Sequence, residues 1–99
     1  MSDPVTISRS ESGGRGRYVA HVSGRDGEGE LTYSRTAPKH IIADHTGVAD
    51  SLRGTGVAKA LVERLVDDAR AEGVTITLLC PYIKAQYAKH PEWSDVMDG

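Results

Sequence analysis

Ser51-Leu52-Arg53-Gly54-Thr55-Gly56-Val57-Ala58 is the stretch whose reading decides the fold. An apolar, β-branched run, Ile41-Ile42-Ala43, leads toward it, and a segment of helical period leaves it. Strand, glycine turn and helix in that order build an anion site from backbone alone. The first N–H groups of a helix have no partner inside it, and the helix dipole puts partial positive charge at that end. Gly54 and Gly56 remove the side chains that would keep a phosphate away from those amides. The turn reads as the seat of a phosphate-bearing cofactor.

Downstream, Ala58, Leu61, Val62, Leu65, Val66 and Ala69 recur at spacings of three and four, an apolar stripe along one helix face. Lys59, Glu63, Arg64, Asp67 and Arg70 lie on or beside the solvated face, and Gly73 ends the helix as a C-cap glycine. Val74 to Cys80 is a β-branched strand closed by Pro81, and Tyr82 to Lys89 a short helix stopped by His90-Pro91-Glu92-Trp93. Strand, helix of roughly 16 residues and strand imply a parallel pair joined right-handedly.

Upstream, Val5-Thr6-Ile7-Ser8 alternates as a half-buried strand, and Glu11 to Gly16 reads as a polar, glycine-rich loop. Arg17 to Val22 is a second strand with Tyr18, Ala20 and Val22 on one face. After a turn from Ser23 to Gly29, Glu30 to Arg35 is a third, with Leu31 and Tyr33 inward. Thr36-Ala37-Pro38-Lys39 breaks the pattern, and His40 to Val48 is the fourth strand, feeding the glycine turn. Short connections make an antiparallel meander the economical topology. The expectation is one α+β domain over residues 1–99, a meander followed by a β-α-β unit and a short C-terminal helix.

Composition narrows the partners. A chain of 99 residues with 38% hydrophobic and 26% charged residues suits one globular domain. Net charge −2 offers no basic footprint for nucleic acid, and no apolar run approaches the roughly 18 residues of a membrane span. Met1-Ser2-Asp3-Pro4 lacks the features of a signal peptide, and the single cysteine, Cys80, fits a reducing compartment, so the cytoplasm is expected. The four histidines show no ligand spacing, and no metal is assigned. Nothing in the strands advertises a dimer face, so a monomer is expected.

Three glycine turns compete for the phosphate. A Walker A loop needs Gly-Lys-Ser/Thr at the helix start, which Gly54-Thr55-Gly56-Val57 lacks. The dinucleotide fingerprint would demand a small residue where Lys59 stands. Arg53-Gly54-Thr55-Gly56-Val57-Ala58 instead matches R-x-x-G-x-A, and here the sequence resembles the GNAT superfamily of acetyl-CoA-dependent N-acetyltransferases. His45-Thr46-Gly47-Val48, Cys80-Pro81-Tyr82 and His90-Pro91-Glu92-Trp93 are similar, in order and spacing, to a small, compact branch of it.

The resemblance implies a compact GNAT-like fold whose two parallel strands splay at the cofactor cleft. It implies that Arg53, Gly54, Thr55, Gly56, Val57 and Ala58 hold the pyrophosphate of acetyl-CoA. Thr46, Gly47 and Val48 would pair their backbone with the pantetheine arm. Acetyl transfer also needs a deprotonated amine, donors for the developing oxyanion and an acid for the departing thiolate. Cys80 ends its strand at the expected mouth of the cleft and is a candidate nucleophile. Its plainer role is a small buried apolar residue among Val74, Ile76 and Leu78. His45 is a candidate base against the plainer reading of a half-buried, hydrogen-bonded histidine. Tyr87 is favoured over Tyr82 as proton donor to the thiolate, though neither sits in a motif that chooses.

The helices that shape the acceptor site in larger GNAT enzymes have no room between the first two strands, so the acceptor side would be shallow. The expected function is acetyl transfer from acetyl-CoA to an unidentified amine, small or on a protein. The alternative is a CoA- or acyl-CoA-binding module without turnover, and a third class is an interaction protein whose turn binds nothing.

Overall fold

Alternating apolar and polar residues set the faces of the first strands, and the shortest available turns set their order. The computed structural model describes residues 5–97; the N-terminal stretch read for a signal peptide and the last two residues lie outside the described residues. Strands β1 (Val5–Ser12), β2 (Arg15–Val22), β3 (Gly29–Ala37) and β4 (His40–Val48) form an antiparallel meander. Strand β5 (Thr75–Leu78) joins parallel to β4, so the sheet order follows the chain. The polar stretch after β1 is not a loop. β1 runs to Ser12, β2 starts at Arg15, and Gly13 and Gly14 turn between them with φ of 60° and 79°. Positive φ at both positions is the hairpin geometry that matches strand twist. Glu11, read as loop, is a cross-strand partner instead.

Helix α1 (Val57–Glu72) lies across one sheet face and buries Val57, Leu61, Val62, Leu65, Val66 and Ala69. The stripe differs from expectation at its start, where Val57 rather than Ala58 is fully buried. Gly29 permits this, because a Cβ there would sit 2.4 Å from Val57 Cγ1. Gly73 closes the helix in the left-handed region, and Val74 N–H reaches Ala69 O at 2.9 Å. Facing α1 are Tyr18, Ala20, Val22, Leu31, Tyr33, Ile41 and Ala43, all buried. The opposite face of β2 and β3 carries Arg17, Val19, His21, Glu30, Thr32 and Ser34 and is mostly polar.

Two buried tyrosines tie sheet to helix. Tyr18 and Tyr33 pack with ring centroids 5.8 Å apart, and the Arg9 guanidinium lies 5.5 and 5.6 Å from the two rings. Tyr18 Oη donates to Asp68 of α1 at 2.8 Å, and Arg9 pairs with Asp68 and Glu72. Burial first, and then a neighbouring carboxylate, pushes both phenols up, so they remain donors.

After α1 the chain differs from expectation again. Pro81 does not close β5; it is the first residue of helix α2 (Pro81–Lys89), where a missing N–H costs nothing. A 3-10 turn comes next, at Pro91–Asp95. Its end covers the free edge of β5, where Ile76 N–H donates to Val96 O at 2.7 Å. Arg70 of α1 holds Asp95 with two hydrogen bonds of 2.7 and 2.8 Å.

The Arg35 guanidinium and the Tyr33 hydroxyl hold the Glu11 carboxyl down at about 2, against a smaller upward push from burial. Glu11→Gln is expected to cost about 1 kcal/mol at neutral pH, allowing for solvent screening of a partly exposed pair. A depressed folded value makes this contribution whole above the ordinary 4.5 and lost as pH falls toward about 2. Urea denaturation of both proteins should give a stability gap at neutral pH that closes across that window. A gap persisting to its lower end would trace the effect to something other than ionisation.

Candidate functional site

The site begins with one extra residue in β4. Pairing with β3 slips between Thr32↔His45 and Tyr33↔Ala43, leaving Asp44 as a bulge. A bulge bends its strand and re-aims the residues beyond it. Ala43 and Thr46 thereby share a face, opposite Tyr33 and Leu31, although strict alternation would separate them. The last β4–β5 pair is Ala43↔Leu78, and Leu79 N–H still reaches Ala43 O at 3.1 Å, but β4 runs on to Val48. The expected splay is this parting. Ala49 N–H donates to Glu28 O at 3.1 Å. Hydrogen-bonded pairs alternate, so His45 and Gly47 turn their backbone groups to β3 while Thr46 and Val48 turn theirs to the opened edge.

The glycine turn then leads into α1. A 3-10 turn at Asp50–Leu52 is anchored by buried Leu52 and by Ser51 Oγ donating to Asp26 O at 2.7 Å. Gly54 and Gly56 have φ of 80° and 83°, and nothing lies within 4 Å of a Cβ built on either. Ala60 N–H makes the first helical bond, to Gly56 O at 3.0 Å. The N–H groups of Val57, Ala58 and Lys59 therefore precede the ladder. No side chain caps the helix, and its first turn holds no acidic residue. The positive end of α1 is thus uncompensated by the protein.

These amides open on a cleft of about 240 Å³. The end of β4 (Val48), the glycine turn and the start of α1 (Leu52 to Gly54 and Gly56 to Lys59) and Tyr82 of α2 line it. That volume falls below the roughly 300 Å³ at which enclosed ligand pockets begin. A larger molecule would extend beyond it, and Val48, which lines it, ends the opened β4 edge. Arg53 pairs with Asp50 at 3.1 Å, both strongly exposed, an interaction weak enough for an anion to replace. The Thr55 hydroxyl is used within the turn, donating to Leu52 O. Lys59, read from the sequence as solvated surface, is the cation the cleft adds.

Cys80 is the residue before α2 and is buried, with Sγ 3.7 Å from Thr46 Oγ1. Burial pushes its thiol up, but the N–H groups of Ile83 and Tyr82, the Thr46 hydroxyl and the Thr46 N–H together bring it below its ordinary value. The first-turn amides of α2 thus approach the sulfur, short of a complete cap hydrogen bond. The arrangement favours negative charge on sulfur.

His45 is exposed and pairs with Thr32, on the sheet face away from α1. Its ring folds over Gly47, where a Cβ would meet Nε2 at 3.1 Å. His45 and Cys80 are not brought into hydrogen-bonding contact. Tyr87 packs against the core, whereas Tyr82 lines the cleft, and burial followed by the nearby Cys80 raises its phenol. Among the described residues no group of three or more His, Cys, Asp or Glu is arranged to hold a metal, and no helix is long and apolar enough to cross a membrane.

Comparison with known proteins gives this geometry a family. The chain is 29% identical to Protein NATD1 of Xenopus tropicalis over 90 residues, 90% of this chain and 83% of that protein. Human Protein NATD1 is 27% identical over 77 residues, 78% of this chain and 68% of its own. Among solved structures, a GCN5-like protein from Staphylococcus aureus, determined by NMR, superposes with TM-score 0.69 at 28% identity, covering 95% of this chain and 88% of that one. An IAA acetyltransferase from Bacillus cereus shares the fold at TM-score 0.59 and 23% identity, over 74% and 63% of the two chains. The family model described as GCN5-related N-acetyl-transferase matches residues 17–96, from β2 through the last turn, and by that match the chain belongs to the GCN5-related N-acetyltransferases.

Proposed function

We propose that this N-acetyltransferase takes its acetyl group from acetyl-CoA and passes it to an amine. One observation carries the reading: the start of α1 presents three amides ahead of the helical ladder to the cleft, with neither a capping side chain nor an acid beside them. A phosphate supplies both the missing acceptor and the missing negative charge. Hydrogen bonds to a charged group contribute about 1.5–3 kcal/mol each, so two or three such bonds support micromolar binding. Gly54 and Gly56 leave the approach open, and Lys59 and Arg53 add positive charge. Thr46, Gly47 and Val48 continue as the pantetheine track, with the outward groups of Thr46 and Val48 available for strand-like pairing.

Bound there, acetyl-CoA supplies an activated acetyl thioester. We assign Cys80 as the group that receives the acetyl, because it precedes the first turn of α2 with Sγ 3.7 Å from the Thr46 hydroxyl, surroundings that hold its thiol below the ordinary value. Tyr82 retains its proton at neutral pH, since burial and then Cys80 push its phenol up, and it serves as donor to a departing thiolate. This takes the role first given to Tyr87. His45, exposed on the face where an amine can arrive, acts as the base. A binding module without turnover is the second reading. It is favoured by the two-residue connection of β1 to β2, which leaves no wall around an acceptor.

Gly56→Val is expected to lower acetyl-CoA affinity at least tenfold in calorimetric titration. The added Cβ meets no atom within 4 Å, but a β-branched residue is forced to φ 83°, at a cost of about 1–3 kcal/mol that a folded variant can carry. Unchanged affinity in the folded variant would exclude the turn as the pyrophosphate site. Cys80→Ser should retain acetyl-CoA binding while CoA release with an amine falls by about a hundredfold or more, because a serine hydroxyl stays protonated where a thiol ionises. Full activity in Cys80→Ser would leave Cys80 as packing alone.

A further inference from the structure

Asp44, the bulge residue, is half-buried, and its Oδ2 accepts a hydrogen bond from Ser34 Oγ at 2.9 Å. Ser34 pairs with Ile42 on the sheet face away from α1, because Tyr33 and Ala43 occupy the other. The remaining carboxylates of the described strands have cationic partners: Glu11 holds Arg35, and Glu30 holds Arg17. Asp44 makes no ion pair among the described residues. It also stands immediately beyond the last β4–β5 pair, at the base of the fork. Leu79 lies at the same level of the parallel ladder and, by alternation from buried Ile76, on the same face. It is 58% exposed. With α1 over the opposite face, a molecule reaching the fork from solvent passes between an unpaired carboxylate and an apolar side chain.

Resting on the acetyl-transfer reading above, we propose that Asp44 and Leu79 select as acceptor an alkyl diamine, or the end of a longer polyamine. One ammonium pairs with the Asp44 carboxylate, the methylene spacer lies on Leu79, and the far amine, unprotonated, is the nucleophile. CoA thiol leaves when the acetyl passes to Cys80; the amine's nitrogen lone pair then forms the amide C–N bond as the acetyl–Cys80 thioester C–S bond breaks with its electrons to Sγ. The surplus amine proton ends on that sulfur, giving monoacetylated diamine and the free Cys80 thiol. An acceptor with one nitrogen gains nothing from Asp44, since its only ammonium must lose its charge to react. A half-exposed ion pair contributes modestly, enough for about a two- to fivefold preference, and salt should weaken it.

The experiment compares kcat/KM for 1,4-diaminobutane and butylamine in the wild-type chain, Asp44→Asn, Asp44→Glu and Leu79→Ser. Acetyl-CoA titrations run in parallel, and NMR titrations with 1,4-diaminobutane are made on the free and CoA-loaded protein. The expected result is a diamine preference of about two- to fivefold that collapses toward unity in Asp44→Asn, persists in Asp44→Glu, shrinks in Leu79→Ser and falls with ionic strength. Amide shifts at residues 44 and 79 should accompany diamine binding and vanish in Asp44→Asn. A preference that is absent, or unchanged by Asp44→Asn, overturns the inference, as does an equal loss for both amines, which would make Asp44 a general participant. Failure of acetyl-CoA to bind removes the acetyl-transfer reading instead, and the NMR titration of the free protein still decides whether Asp44 holds a diamine.

Discussion

Everything at the site depends on where β4 and β5 part. A parallel pair that stayed paired to its ends would fill both edges of β4 and leave no backbone for a ligand. Here pairing stops at Ala43↔Leu78, one residue before the Asp44 bulge. The bulge adds local twist, and the extra residue carries the rest of β4 away from the line of β5. The outward groups of Thr46 and Val48 are freed by the same step. So is the space in which Cys80, leaving β5 for the start of α2, comes to lie 3.7 Å from the Thr46 hydroxyl. One inserted residue therefore makes the opened edge, re-aims Thr46 and turns Asp44 to the uncovered face.

A fork alone does not hold an anion; the start of α1 must be fixed relative to it. Two separated contacts do this. At the N-terminal end Val57 sits on Gly29, with Leu52 buried beneath the turn, so the first amides cannot rotate away from the cleft. At the C-terminal half Asp68 and Glu72 take Arg9 and Tyr18 from the sheet. The second cluster lies on the strands farthest from β5, and its effect on the cleft is through the helix axis. Fixing both ends of a helix reduces what ligand binding must still order, which is the physical content of preorganisation.

The parts of this arrangement that repeat were legible in the sequence. Each turn of α1 restates the same stripe, and the alternation in β2 and β3 restates the same face, so isolated exceptions do not hide them. The glycine turn was legible because backbone conformation alone specifies it. The bulge was not: His40 to Val48 reads as one unbroken strand, and only the pairing with β3 shows that Asp44 has no opposite number. Glu11 looks like loop polarity until the meander brings it to Arg35, 24 residues on. Lys59 keeps to the solvent side of the helical stripe, but in a first turn that ends at a cleft, solvent side and cleft side coincide. In α2 only Ile83 is buried, too few points for a period, so only the fold shows Tyr82 lining the cleft and Tyr87 packed against the core.

The same features that suit the start of α1 to a phosphate make it a poor helix terminus. A side-chain cap is worth about 1 kcal/mol, and an acid in the first turn adds a further ~0.3–1 kcal/mol. The chain has neither at Gly56, although it uses carboxylates freely along the rest of α1, at Glu63, Asp67, Asp68 and Glu72. An aspartate in that turn would stabilise the free protein and repel a diphosphate at the same point. The two demands oppose each other at one location, and there the sequence supplies neither a capping side chain nor an acid. On the proposed reading ligand binding and folding are linked at the helix start: a negative group bound in the cleft would complete the α1 cap, and its binding energy would also be stability.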